Sequence, residues 1–270
     1  MKNNITVGVV LYNEEKRIEK FVKSLSWCDD VIVIDKSSTD NTSKFLKGNN
    51  ITVIIVPYED NGCFGQVVVE HARHDWVAFL TVSDFISYEL IRDVNEIINK
   101  KDFHCNTIKV PFNNYILGLN VKDSPWYWTF KRYFFRKNSL SFTSLVHREI
   151  EYDQTNIYEL HSKGSVYHLA HQNFMTQLEH HTRYTIAEAD ELYKRQVPLK
   201  DLKKDLLKLL LRLIKNTFLF KGDDVFALGI AFFMYYSQRY LFTWEKYQNI
   251  EKTYEDIKDR ILREFQNEKK

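Results

Sequence analysis

After four residues the chain enters Ile5-Thr6-Val7-Gly8-Val9-Val10-Leu11, and the polar residues Tyr12-Asn13-Glu14-Glu15 follow at once. An apolar run rich in β-branched side chains is typical of a strand buried on both faces of a parallel sheet. Apolar residues then recur at helical spacing up to Leu25, with Asn13 as the expected N-cap. This part of the sequence therefore predicts a strand followed by a helix.

The alternation of strand and helix continues to about residue 100. Further apolar strands are predicted at residues 31–34, 52–56 and 76–80, with helices between them. Strands and helices that alternate at this spacing indicate βαβ units and a parallel sheet. The fold class is therefore α/β. Two more strands are predicted at 107–111 and 131–136, and from residue 176 onward the pattern is helical.

The composition is that of a folded globular chain. The 270 residues are 44% hydrophobic and 27% charged, which excludes a mostly disordered protein. A net charge of +2 gives no field that would favour nucleic acid as a partner. Three well-separated cysteines predict reduced thiols in a cytosol rather than a metal knuckle or redox pair. No cleavage site follows the first apolar run, and the longest run, residues 225–236, is too short for a membrane span.

Polar residues cluster directly after three of the predicted strands. The clusters are Tyr12-Asn13-Glu14-Glu15, residues 35–42 and Thr81-Val82-Ser83-Asp84. Ligands of open α/β sheets bind at the carboxyl ends of the strands. Tyr12 offers a ring to stack on a base, and Asp35 offers a carboxylate to a base N–H or a ribose hydroxyl. Each cluster alone is also explained by helix caps and turns, but three at the correct strand ends favour a nucleoside site.

These segments resemble the nucleotide-sugar half of the family-2 glycosyltransferases. The resemblance is carried by residues 5–15, 27–42 and 75–80 and extends loosely over most of the chain. Within the family, the sequence is most similar to bacterial enzymes that extend lipopolysaccharide cores and related surface glycans. We therefore expect a GT-A fold in residues 1–175, with nucleotide-sugar and acceptor sites, and a helical C-terminal extension in residues 176–270.

The resemblance implies an inverting transfer of a sugar from a nucleoside diphosphate donor, commonly a UDP-sugar, to a glycan or lipid-linked acceptor. A carboxylate would deprotonate the acceptor hydroxyl. A divalent cation, Mg²⁺ or Mn²⁺, would neutralise the leaving diphosphate. By position, the implied substrate contacts are Leu11, Tyr12, Asn13, Glu14, Asp35, Ser83, Arg132, His147 and His168.

The sequence departs from the family at its catalytic positions. Family members usually carry Asp-x-Asp after the fourth strand as metal ligands, whereas this chain has Thr81-Val82-Ser83, with Asp84 one place later. Asp84 is thus the only predicted metal ligand. The family's His-Glu pair is here His147-Arg148-Glu149, and Glu149 is the predicted catalytic base. Asp84, Glu151 and Asp153 are the alternative bases.

Two hypotheses fit these departures. In the first, the enzyme works with a metal on Asp84, or without metal and with Arg and Lys neutralising the diphosphate. In the second, the chain keeps the fold and nucleotide binding in a glycan-assembly complex but has lost the chemistry. We favour the active enzyme, because three strand ends keep residues suited to a nucleoside.

Aromatic and histidine residues follow in the second half. Trp126 begins a run of three rings that would form either a sugar-stacking platform beside the acceptor or part of the core. His168 and His171 could share a helix face as metal ligands, but no third ligand joins them in a recognised spacing. A structural or acceptor-binding role is favoured, with His168 as the substrate contact.

A basic helix is predicted at residues 202–215. Lys204, Lys208, Arg212 and Lys215 form one stripe, and leucines cover most of the remaining surface. Such a helix either lies on an anionic membrane, which would place a cytoplasmic enzyme on the inner face of the cell membrane, or packs on the domain. The aromatic segment near residues 232–240 would cover these leucines or form a homodimer contact.

Overall fold

The structure, a computed structural model, describes residues 4–48, 50–58, 63–142, 150–152, 154–218 and 222–267. The strands are β1 Ile5–Leu11, β2 Val31–Asp35, β3 Ile51–Ile55, β4 Trp76–Leu80, β5 Asp84–Ile86, β6 Thr107–Ile116, β7 Phe130–Arg136, β8 Leu140–Phe142, β9 Ile150–Tyr152, β10 Ile157–Glu159 and β11 Val166–Ala170. The helices are α1 Glu15–Ser24, α2 Thr42–Phe45, α3 Phe64–His71, α4 Tyr88–Ile98, α5 Phe174–Lys194, α6 Leu199–Phe218, α7 Asp223–Gln248 and α8 Ile250–Asn267, with a 3₁₀ turn at Lys137–Ser139.

The main sheet of the described residues has the strand order β3-β2-β1-β4-β7-β6-β11-β5, with β10 paired to β6. Strands β3, β2, β1 and β4 are parallel, and β7 is antiparallel to both β4 and β6. From β1 the chain moves to β2 and β3 on one side, whereas β4 lies on the other side. This reversal creates a crevice at the carboxyl ends of β1 and β4, where open α/β sheets bind their ligands.

Buried apolar residues hold this half of the sheet together. Ile5 and Val7 of β1 are fully buried, and α1 covers the sheet with Ile18 and Phe21. On another part of the sheet, α3 packs closely enough that a Cβ on Gly8 would lie 2.5 Å from a methyl group of Val68. The strands that carry the three polar clusters are therefore rigidly positioned.

The chain divides into two compact units. The first comprises Met1–Asn120 and Trp126–Gln172, and it contains the sheet. The second comprises Val121–Pro125 and Asn173–Lys270. In the second unit α7 packs against both α5 and α6, and the Lys246 ammonium binds the Asp190 carboxylate at 2.6 Å.

Most predicted elements are present, and two details of the prediction are wrong. β1 and β4 have the predicted bounds, whereas β6 extends five residues beyond the predicted end, to Ile116. Asn13 is not the N-cap of α1, since Glu14 occupies that position without a side-chain cap. Asn13 has a left-handed backbone (φ 52°), which directs its side chain to the loop after β2.

Two further observations bear on the predictions from composition. No helix of the described residues is long and apolar enough to cross a membrane. The three cysteines are free thiols. Burial raises the pKa of the Cys28 thiol to about 12, so this thiol is not a nucleophile at neutral pH.

Candidate functional site

Hydrogen bonds tie the loop after β1 to the loop after β2. The Asn13 N–H donates to Ser38 Oγ at 2.9 Å, and Asn13 Oδ1 accepts from the Thr39 N–H at 2.8 Å. One residue later, the Glu14 N–H donates to Thr42 Oγ1 at 2.7 Å. The first two polar clusters therefore form one surface at the carboxyl edge of the sheet.

Asp35 lies at the end of β2, directly opposite Leu11 in the strand register. Its residue is only 4% exposed, and Oδ1 accepts from both the N–H and the hydroxyl of Ser38, at 2.9 and 2.6 Å. Among the described residues no group donates to Oδ2. The carboxylate is thus fixed by one oxygen, and the other is left for a ligand.

Tyr12 and Tyr58 form a ring pair after the ends of β1 and β3, whose residues Leu11 and Ile55 pair with Asp35 in the sheet. The two ring centroids are 4.4 Å apart with the planes tilted by 47°. Lys36 lies over the Tyr58 ring at 5.3 Å and over Phe64 at 5.5 Å. Tyr58 is 43% exposed, so the pair offers an aromatic surface next to a carboxylate, which suits a nucleobase.

A chain of polar contacts crosses the crevice from β1 to β4. Arg17 donates from Nε and Nη2 to the two carboxylate oxygens of Glu14, at 2.8 and 2.7 Å. Its Nη1 donates to Ser83 Oγ, at 2.7 Å. Since Glu14 follows β1 and Ser83 follows β4, the guanidinium spans the crevice.

Asp84 and His168 form a buried pair on neighbouring antiparallel strands, β5 and β11. Asp84 is 2% exposed, and its Oδ1 lies 2.7 Å from His168 Nδ1. Its Oδ2 accepts from the N–H and hydroxyl of Thr81, at 2.6 and 2.9 Å. Burial acts to raise the pKa of Asp84, but its bonds to His168 and Thr81 outweigh burial and lower this pKa. The Asp84 carboxylate is therefore ionised, and both of its oxygens take part in hydrogen bonds.

His168 lies in a strand, so the alternative in which it shares a helix face with His171 does not apply. β11 ends at Ala170, and His171 follows in a left-handed conformation (φ 59°). The His168 ring stacks on Phe112 at 5.9 Å. Trp128, which is 49% exposed, contacts the same Phe112 ring at 6.4 Å. The histidine and the exposed tryptophan thus share one aromatic neighbour.

Tyr133 lies beneath this cluster. Burial and the nearby charge of Asp84 raise the pKa of the Tyr133 hydroxyl well above its ordinary value. Lys131 lies over the Phe112 ring at 4.9 Å. The hydroxyl therefore stays protonated, and Lys131 adds a cation to this part of the site.

The described residues include Asp84, the predicted metal ligand. They contain no group of three His, Cys, Asp or Glu side chains placed to hold an ion. Asp84 has one such neighbour, His168, and both of its oxygens already accept hydrogen bonds. The divalent cation implied by the resemblance therefore lacks a ligand set within this part of the chain.

The remaining predicted residues have other contacts or lie outside the described residues. The Trp126 C=O accepts from Asn114 at 2.9 Å. Arg132 lies over the Tyr152 ring at 5.4 Å, and no described contact links it to the strand ends. Glu151 is exposed on β9. His147, Glu149 and Asp153 lie outside the described residues.

Two site residues were not predicted. Arg17 and Tyr58 both contact predicted residues, and Thr81, which was predicted only as part of the third polar cluster, binds Asp84. The sequence did contain signals for Arg17 and Tyr58. Glu14 and Arg17 have the i,i+3 spacing of a helical ion pair, and Tyr58 follows the third strand much as Tyr12 follows the first.

Comparison with known proteins shows the family to which the chain belongs. Residues 6–149, more than half of the chain, match the model of glycosyl transferase family 2. The chain belongs to glycosyl transferase family 2. The predicted α/β fold is confirmed as GT-A-like, with a mostly parallel central sheet and C-terminal helices.

This chain spans about half the length of two curated relatives that it matches. The SPbeta prophage-derived glycosyltransferase SunS of Bacillus subtilis is 24% identical over 199 residues, which cover 70% of this chain and 45% of SunS. The glycosyltransferase SunS of Bacillus phage SPbeta matches with the same identity and coverage.

The chain is also similar to solved structures. S. aureus TarS 1-349 in complex with UDP-GlcNAc has a TM-score of 0.49 and 16% identity, over 91% of this chain and 92% of that chain. Glucosyl-3-phosphoglycerate synthase from Mycobacterium tuberculosis, in a complex with Mn²⁺, UDP and glucosyl-3-phosphoglycerate, has a TM-score of 0.45 and 17% identity, over 73% of this chain and 81% of that chain.

Proposed function

We propose that this protein transfers a sugar from a nucleoside diphosphate donor, a UDP-sugar, to a hydroxyl of a glycan or lipid-linked acceptor, with inversion at the anomeric carbon. Membership of glycosyl transferase family 2 supports glycosyl transfer as the reaction class. The observation that carries the proposal is the joined surface at the ends of β1, β2 and β4, where an aromatic pair, a fixed carboxylate and a guanidinium lie together.

The nucleoside would bind to the first two strand ends. The base stacks on the Tyr12–Tyr58 pair, and Asp35 Oδ2 accepts from the base N–H or from a ribose hydroxyl. Ser38 holds Asp35 from the opposite side, so the acceptor oxygen does not have to be ordered when the ligand binds. Such preorganisation reduces the entropic cost of binding.

The sugar would then lie near the Asp84–His168 pair. The acceptor hydroxyl attacks the anomeric carbon as its proton passes to a base, and the bond from that carbon to the diphosphate oxygen breaks. Asp84 is buried, with both oxygens engaged, which suits orientation of the His168 ring better than proton removal. Glu149 remains our proposed base, with Glu151 and Asp153 as alternatives.

A catalytically silent binding protein in a surface-glycan assembly complex is the second candidate. The observation in its favour is Thr81-Val82-Ser83 at the positions where the resemblance implies two metal-binding carboxylates. This candidate shares the nucleoside surface with the enzyme. It differs in predicting that bound donor is not turned over.

The two candidates are separated by titrating UDP and UDP-sugars, in EDTA and in Mn²⁺, and then measuring UDP release with surface-glycan and lipid-linked acceptors. The proposed enzyme binds the nucleotide and releases UDP when an acceptor is added. Tight binding without UDP release on any of these acceptors would favour the silent protein. Absence of nucleotide binding would contradict both candidates.

The acceptor proposal includes an anionic membrane surface at α6. Its exposed side combines the apolar side chains Leu207, Leu211 and Ile214 with the exposed lysines Lys204 and Lys208. Apolar groups flanked by lysines suit the headgroup layer of an anionic bilayer. Binding there would bring the enzyme to a lipid-linked acceptor. The alternative is that α6 serves only to pack on the domain, where it contacts α7.

A further inference from the structure

Arg17 occupies the crevice between the ends of β1 and β4. It belongs to the first turn of α1, and its guanidinium is held from both sides. Glu14 binds Nε and Nη2, and Ser83 accepts from Nη1 across the crevice. The Arg17 side chain is nevertheless 38% exposed, so a ligand in the crevice can reach it.

Three of its five N–H groups are used in these contacts, which leaves two for a ligand. A guanidinium binds phosphate through paired N–H donors, and such charge-assisted hydrogen bonds are stronger than neutral ones. Since Glu14 and Ser83 fix the plane of the group, little rotamer entropy remains to be lost when a phosphate binds.

The residue at position 83 matters for this role. A serine hydroxyl accepts a hydrogen bond from Arg17 without neutralising its charge. A carboxylate at the same position would place a second negative charge beside Arg17, which already forms an ion pair with Glu14, and would compete with an anionic ligand. The described residues contain no group of three His, Cys, Asp or Glu side chains that could hold a metal ion, and the Arg17 guanidinium is a cation that lies between the ends of β1 and β4.

We infer that Arg17 is a diphosphate-binding residue of the donor site, where its guanidinium binds phosphate oxygens while it remains paired with Glu14. The inference rests on the proposed function, because it takes the nucleoside diphosphate as the ligand. In this arrangement Tyr12 and Asp35 bind the nucleoside, while Arg17 donates its two remaining N–H groups to phosphate oxygens. Binding of the diphosphate then requires no divalent cation.

The test compares uridine with UDP as ligands of the full chain, by calorimetric titration in EDTA and again in Mn²⁺. Wild type should bind UDP more tightly than uridine and with the same affinity in both buffers. Arg17→Gln should weaken UDP binding roughly tenfold to a hundredfold, the loss of a charge-assisted contact, and leave uridine affinity within about twofold. Lys20→Gln, which removes an exposed charge from the same helix, should change neither affinity.

Three results would overturn the inference. They are an unchanged UDP affinity in Arg17→Gln, an equal loss of UDP and uridine in a variant that unfolds at the wild-type temperature, and a wild-type UDP affinity that requires Mn²⁺. If Arg17→Gln does not fold, Arg17→Lys decides, since it keeps the charge and should bind UDP more tightly than uridine in EDTA. Wild type that binds neither ligand would contradict the proposed function itself.

Discussion

At the scale of single residues, Asp35 links the fold of the site to its proposed chemistry. One oxygen orders the loop through Ser38, and through Ser38 it also orders Asn13. The other oxygen accepts from no described residue. The roles of the two oxygens can therefore be tested separately by substitution, because an asparagine at position 35 keeps an acceptor for Ser38 but loses the charge.

We expect Asp35→Ala and Asp35→Asn both to weaken UDP and uridine binding by about tenfold or more, since each loses a charged acceptor. Asp35→Asn should unfold at a temperature closer to that of wild type than Asp35→Ala does, because its amide oxygen still accepts from Ser38. Calorimetric titration and thermal unfolding measure the two effects. Wild-type uridine affinity in both variants would remove Asp35 from the nucleoside site.

The sequence predicted those site residues that follow a strand directly, because a strand end fixes where its next residues lie. Tyr12, Asn13 and Asp35 were found in this way. The Arg17–Ser83 and Asp84–His168 contacts could not be found from spacing. The two residues of the first contact are 66 positions apart in the chain and those of the second are 84 apart. They meet only because the sheet brings their strands together. The catalytic role of Glu149 stays a prediction.

At the scale of elements, β1 and α3 approach closely at Gly8. A Cβ at this position would lie 2.5 and 2.8 Å from the two methyl groups of Val68. A β-branched side chain on a helix has few alternative rotamers, so the helix would have to move. The absence of a side chain at Gly8 thus sets the distance between the sheet and the helix.

Gly8→Ala should lower the free energy of unfolding by about 1–3 kcal/mol, the usual effect of overpacking. Adding Val68→Ala should make the effect of Gly8→Ala smaller than it is in the wild-type background. Denaturant unfolding of the four proteins in this cycle measures the coupling. Gly48→Ala, which would first meet the flexible Asn50 side chain, is the control. Additive effects of the two substitutions would show that the contact does not set the spacing.

Helices α5 and α7 meet around His181. Its ring packs edge-on against Tyr235 at 4.9 Å, and the Tyr235 hydroxyl donates to Glu188. Burial, and then the charge of His180, lower the pKa of His181 to about 4, while Glu188 acts in the opposite direction. The folded protein therefore holds this imidazole neutral at pH values where the unfolded chain protonates it.

Between about pH 6.5 and 4 the unfolded chain binds one more proton at His181 than the folded chain, so stability falls as the pH is lowered through this range. His181→Gln should flatten this part of the curve of unfolding temperature against pH. His104→Gln, an exposed histidine of the first unit, should leave the curve as in wild type. An unchanged slope in His181→Gln would contradict the packing described for α5 and α7.

The sequence predicted long helices better than short strands. Helix was predicted from residue 176 onward, two residues after α5 begins, and the basic helix predicted at 202–215 lies within α6. β5 and β8 to β11 have three to five residues each. Such strands are too short for a periodic signal to separate them from loops, and they form because long-range partners provide their hydrogen bonds.

At the scale of the whole molecule, the proposed function needs both a donor site in the first unit and a membrane-binding helix in the second. Exchange of Lys204, Lys208 and Lys215 for glutamate should reduce binding to phosphatidylglycerol vesicles more than tenfold, at about 1 kcal/mol per lysine. Cosedimentation measures the effect, and phosphatidylcholine vesicles should bind neither protein. Lys100→Glu with Lys101→Glu, which reverses two exposed charges of the first unit, is the control and should sediment like wild type. Equal sedimentation of the Glu variant and wild type would reject α6 as a membrane contact.

The most direct test of the account is a crystal structure of the full chain with UDP, grown in EDTA. We predict that the uracil lies against Tyr12 and Tyr58, that Asp35 accepts from the base or the ribose, and that the diphosphate lies at the ends of β1 and β4 within hydrogen-bond distance of Arg17. A nucleotide bound away from the carboxyl edge of β1, β2 and β4 would contradict the assignment of the donor site.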